Sequence, residues 1–101
     1  MRSSLLLATA LWVAPLGATA DTHVIARSLA ATCANCHGTD GHSAGGNEPL
    51  AGMPKADLVR KFNEFRSGAK PATIMHQISK GYSEEQIDLI AGYFASQPAK
   101  K

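Results

Sequence analysis

Cys33-Ala34-Asn35-Cys36-His37 constrains this chain more than any other stretch. Two thiols three positions apart, with an imidazole directly after the second, have the spacing of a c-type haem attachment site. Each thiol adds across one vinyl group of the porphyrin, and the adjacent histidine is then placed under the iron as proximal ligand. A bare Cys-x-x-Cys would also suit a redox dithiol or half of a zinc site; the histidine in register separates this pentapeptide from both. A chain of this kind has one large apolar object to pack around, and the rest of the sequence must enclose it.

Residues 1–20 read as a different kind of segment. Arg2 gives a positive start, Leu5 to Ala14 form an apolar run, Pro15 and Gly17 break it, and Ala18-Thr19-Ala20 supplies small residues at the cleavage spacing. The pattern predicts a secretory signal peptide cut after Ala20, too short to span a membrane. Residues 21–101 then form one exported, periplasmic domain, whose small size favours help from a cofactor. The chain has 2 cysteines, both taken by the haem motif, so no disulfide framework is expected despite the oxidising compartment. A formal charge of +2, which two propionates would offset, gives no footprint for nucleic acid or an anionic membrane, and no second apolar span follows.

Helical spacing accounts for most of the predicted mature domain. Asp21 to Thr32 reads as a helix with Val24, Ile25, Leu29 and Ala30 on its apolar side and Arg27 and Ser28 turned away. Gly38 to Gly52 is a glycine-rich loop containing Pro49, able to pass close over a flat cofactor. Lys55 to Arg66 is helical, with Leu58, Val59, Phe62 and Phe65 on one side, Pro54 in the first turn and Ser67-Gly68 as the stop. Pro71 opens a short helix carrying Ile74, Met75 and Ile78, which Gly81 ends. Ser83-Glu84-Glu85-Gln86 is a capping box for a last helix buried through Ile87, Ile90, Ala91 and Phe94. No strand-like alternation occurs, and the predicted fold is all-α around one covalent haem c.

An electron-carrying haem wants both axial positions filled, and a thioether favours the ferrous state. Met53 lies 16 residues after His37, which would force the chain across the haem at once; Met75 lies 38 residues on, after a full helix that lets it return on the far face. Met75 is therefore the expected sixth ligand and Met53 core filling. His76 follows Met75, but helical neighbours diverge by about 100°, so only one faces the iron; His76 is expected at the surface or toward a partner.

In this order, helix, Cys-x-x-Cys-His, glycine loop, helix, methionine and final helix resemble the class I cytochrome c superfamily over the whole predicted mature chain. That resemblance implies that Pro49 orients the proximal His37 through its carbonyl. Ala31 to Gly41 with Pro49-Leu50-Ala51-Gly52 resemble the cytochrome c4-like branch. Phe65-Arg66-Ser67-Gly68 and Ala72 to Tyr82, especially Met75-His76-Gln77-Ile78 followed by Lys80-Gly81-Tyr82, are similar to the haem subunit of flavocytochrome c sulfide dehydrogenase. Some subunits of that family carry two haems; this sequence has one attachment motif. The likeness implies a partner subunit that holds FAD and oxidises sulfide, while this chain takes electrons one at a time, does no bond chemistry itself, and passes them to a soluble acceptor such as another cytochrome c. A free-standing electron shuttle is the alternative. A haem sensor or enzyme with an open sixth position is the third, and Met75 speaks against it.

Two features fall outside that scheme. Lys55, Arg60, Lys61, Arg66 and Lys70 form either a docking face for an acidic partner or a solvated helix face, the latter being the commoner use. Cleavage after Ala20 would expose Asp21-Thr22-His23, whose amine, two amides and third-position imidazole resemble the amino-terminal copper and nickel motif and suit Cu(II). His42 in the loop is expected to be solvated.

Overall fold

The computed structural model describes residues 8–10 and 21–99. Apart from residues 8–10, the predicted signal peptide lies outside the described residues. Five helices follow: α1 (Thr22–Ala31), α2 (Ala34–His37), α3 (Lys55–Ser67), α4 (Met75–Lys80) and α5 (Glu84–Ser96), with a 3-10 turn at Thr39–Gly41. Among the described residues there is no strand, and the fold is all-α.

The helix ends follow local chemistry. The Asp21 carboxylate accepts the His23 amide proton at 3.1 Å and starts α1. Both halves of the capping box form at α5: Ser83 Oγ accepts from the Gln86 amide at 3.1 Å, and Gln86 Oε1 accepts from the Ser83 amide at 3.0 Å. Gly68, at φ 80°, closes α3 in the left-handed conformation that lets its amide reach back to Phe65.

The core gathers Leu58 and Phe62 of α3, Ile87, Ile90, Ala91, Tyr93 and Phe94 of α5, Ala26 and Ala30 of α1, and Leu50 from the loop. α1 lies across α5, and α3 packs against both α4 and α5. The face α1 buries agrees with the expected one at Leu29 and Ala30 and departs from it at Val24 and Ile25. Val24 is 57% and Ile25 40% exposed, while Ala26 and Ala30, one turn apart, are buried. Small side chains let α1 approach α5 closely, and the stripe runs on through the part-buried Cys33. Residue size favours Val24 and Ile25, whereas the buried face keeps Leu29 and Ala30 and is rotated toward Ala26.

Two further corrections concern helix limits. The attachment motif forms its own short helix, α2. α4 begins at Met75 rather than at Pro71, with Ile74 at φ −138° as its cap. The β-branched Thr73 and Ile74 resist the helical conformation, and the first repeating bonds are those of Gln77 and Ile78 to the Ile74 carbonyl, at 2.9 and 3.1 Å.

Gly41 locks the loop onto α5. Its φ is +81°, its carbonyl accepts the Leu50 amide at 2.9 Å, and a Cβ built there would stand 2.7 Å from the Ala51 nitrogen and 2.9 Å from Phe94 Cδ1. Gly41→Ala should therefore destabilise the protein by about 2–4 kcal/mol, from left-handed strain plus overpacking. A lowered denaturant midpoint at unchanged slope checks this.

Candidate functional site

α2 grows directly out of α1. The Cys33 amide bonds the Ala30 carbonyl at 3.0 Å, and the His37 amide bonds the Cys33 carbonyl at 2.9 Å. One continuous stretch thus presents Cys33, Cys36 and His37. No disulfide joins the two cysteines, of which Cys36 is exposed and Cys33 half-buried.

The proximal ring is held from the loop. His37 Nδ1 donates to the Glu48 carbonyl at 2.6 Å, which leaves Nε2 as the lone-pair nitrogen. Asn47 Nδ2 donates to the Cys36 carbonyl at 2.9 Å beside it. The acceptor is therefore not the carbonyl of Pro49, as the resemblance implied, but the one immediately before it. Pro49 contributes the nitrogen of that same amide, and proline holds the preceding residue in an extended conformation.

Cys33, Cys36 and His37 open onto a cavity of about 240 Å³. Leu58, Phe62 and Phe65 of α3 line it, with Ile74, Met75 and Ile78 around the start of α4. Met75 thus shares one space with His37; Met53 does not line it and packs on the core instead. Ile74 is 51% and Ile78 38% exposed, so the cavity has an apolar rim facing solvent. The donor set fits a c-type haem: two thiols for the vinyl groups, an imidazole with its free nitrogen, a thioether, and apolar walls.

The contribution of Thr32 was not read from the sequence. Thr32 and Tyr82 line the cavity and clasp across it: the Thr32 hydroxyl donates to the Leu29 carbonyl at 2.9 Å, so the Tyr82 hydroxyl must donate to Thr32 Oγ1, 2.7 Å away. Tyr82 also meets Phe62 edge-on, with centroids 6.4 Å apart. Thr32 and Tyr82 lie 50 positions apart, so no local pattern announces the pair. His76 and His42 are half-buried rather than exposed, each with a buried Nδ1 lacking a hydrogen-bond partner.

The basic set is largely paired on the protein itself. Lys55 meets Asp88 at 3.0 Å, Arg60 meets Glu64 at 2.8 Å, Lys61 meets Glu48, and Lys70 sits 5.4 Å from the Phe65 ring centre. Asp21 and His23 present an ordinary helix start: the His23 amide proton goes to the Asp21 carboxylate, and its ring lies 5.9 Å from that of Tyr93. Copper held by the amides there would have to displace that cap.

Tyr93, 7% exposed, donates its hydroxyl to the Asp40 carboxylate at 2.5 Å and fastens the 3-10 turn to α5. That hydrogen bond, with burial, pushes the Tyr93 pKa above its ordinary value. A proton held more tightly in the folded state stabilises it fully below the unfolded value of about 10 and is lost as pH rises through the higher folded value. Tyr93→Phe should cost about 1 kcal/mol at neutral pH, and the gap to the parent protein should narrow in strong alkali. Denaturant titrations of both proteins at pH 7 and above pH 10 measure it.

The cytochrome c family model matches residues 25–98. The chain is 36% identical over 72 residues to the cytochrome subunit of sulfide dehydrogenase from Chlorobaculum tepidum, covering 71% of this chain and 66% of that protein. It is 37% identical over 76 residues to the thiosulfate dehydrogenase electron acceptor of Stutzerimonas stutzeri, covering 73% of this chain and 35% of that one. To cytochrome c4 of Pseudomonas aeruginosa it is 35% identical over 72 residues, 70% of this chain and 36% of the relative. The match thus spans just under two thirds of the first relative and about a third of the other two.

Proposed function

The chain belongs to the class I c-type cytochromes of the cytochrome c family, and from that premise we propose that it serves as the haem subunit of a periplasmic, flavin-dependent sulfide-oxidising complex. Electron transfer with covalent haem c is the family's property. The partner, the compartment and the signal peptide of residues 1–20 belong to the proposal. When bound, haem c supplies a one-electron couple at its iron. Cys33 and Cys36 would tether it, His37 would offer Nε2, and Met75 would offer its thioether. The Glu48 carbonyl fixes the imidazole, and Leu58, Phe62 and Phe65 supply apolar walls. Ile74 and Ile78 would leave an apolar edge where a partner's cofactor approaches.

The observation that carries this reading is the single cavity shared by Cys33, Cys36, His37 and Met75. The choice of partner is supported by the likeness to a sulfide dehydrogenase cytochrome subunit and by the Met75 to Tyr82 segment. The FAD would sit in the partner subunit, and a soluble cytochrome would accept the electrons. The likeness to cytochrome c4 favours a second reading, a free-standing carrier. Native mass spectrometry of the protein purified from its source separates the two. A heterodimer containing one flavin, whose haem is reduced by added sulfide, supports the complex. A monomeric haem protein that sulfide reduces only after a separate flavoprotein is added supports the carrier.

A further inference from the structure

Asn47 and Glu48 do more than hold one imidazole. The Glu48 main-chain oxygen accepts a hydrogen bond from His37 Nδ1, its carboxylate accepts one from Lys61 Nζ on α3, and Asn47 Nδ2 donates one to the Cys36 carbonyl. Two successive loop residues therefore grip α2 at two points and α3 at a third. Between the Gly41 and Leu50 anchors residues 44–49 are exposed, and a Cβ at Gly45 or Gly46 would meet nothing within 4 Å. The Lys61 side chain is 21% exposed, whereas Lys55 and Arg60 in the other ion pairs are 49% and 55% exposed. Lys61 thus loses less of its pairing to solvent screening than those groups do.

The geometry points to Lys61 as a positioning residue for the proximal ligand: by anchoring the Glu48 side chain, it fixes the main-chain oxygen that orients His37. This rests on the reading of His37 as a haem ligand. A ligating imidazole owes its orientation and basicity to the partner of its other nitrogen, so an anchor on that partner reaches the iron without touching it. Bare charge is the competing role, since Lys61 also lines the cavity.

The test uses the ferrous holoprotein and the exchange rate of the His37 Nδ1 proton by NMR. Lys61→Met and Glu48→Gln should each speed exchange about fivefold, the factor a part-exposed ion pair is worth. The double variant should be no faster than either single one, and Lys61→Arg should restore the parent rate. Unchanged exchange in both single variants, with reduction potentials moved in opposite directions as isolated charges would move them, overturns the assignment. Covalent haem is counted in every sample; a parent protein without it overturns the ligand reading itself, a separate and recognisable result.

Discussion

Cys33→Ser combined with Cys36→Ser should yield a colourless polypeptide of unmodified mass that fails to melt cooperatively. The physical reason lies in what the cavity leaves undone. Among the described residues the core gathers ten buried side chains, three of them alanines, while the apolar faces of Phe65, Ile74 and Ile78 turn partly toward a space of about 240 Å³ and solvent. Domains of this size are marginal without a staple or a cofactor. An apolar object tethered in the cavity buries those faces and contributes at about 25 cal/mol per Å² removed from water. Without the thioethers its binding becomes a reversible equilibrium, and the protein's stability then depends on free haem. Mass, visible absorbance and the circular-dichroism melt read this together. A variant that melts like the parent while carrying no haem would remove the basis of the functional proposal.

Met75→Ala is expected to abolish the near-infrared band of ferric thioether-ligated haem and to lower the reduction potential by on the order of 0.1 V or more, within the roughly 0.8 V that axial ligands command. Carbon monoxide should then bind the ferrous form rapidly, because the sixth position is open. Met53→Ala is the matched control. Met53 is half-buried against the core and does not line the cavity, so its loss should cost about 1–2 kcal/mol of stability and leave band and potential in place. A band that survives Met75→Ala, or disappears with Met53→Ala, would reverse the ligand assignment.

Local chemistry was the legible part of the sequence. The Ser83 capping box, the Gly68 stop and the buried side of α5 depend on residues three or four apart, and the structure has them where the spacing put them. The attachment motif is equally local. What resisted reading depends on how elements meet. Val24 and Ile25 are the largest apolar residues near the start of α1, yet α5 accepts only the small Ala26 and Ala30 side. Glu48 rather than Pro49 holds His37, because a one-residue register in an irregular loop decides which carbonyl faces the ring. Lys61 looked like one of several surface cations until the loop folded back to α3. Thr32 likewise gains its meaning only from Tyr82, far away in the chain.

The pairing of α1 with α5 also bears on the order of events during folding. α1 leads straight into the cysteines, but the helix it packs against lies at the other end of the described domain. Bringing the two together closes a loop of about 60 residues, at an entropic cost on the order of 4 kcal/mol. Until residues 84–96 are in place, that docking has no surface to form on. The stretch that carries the two cysteines is therefore among the last to be held, and Cys36 stays exposed even after α5 has closed.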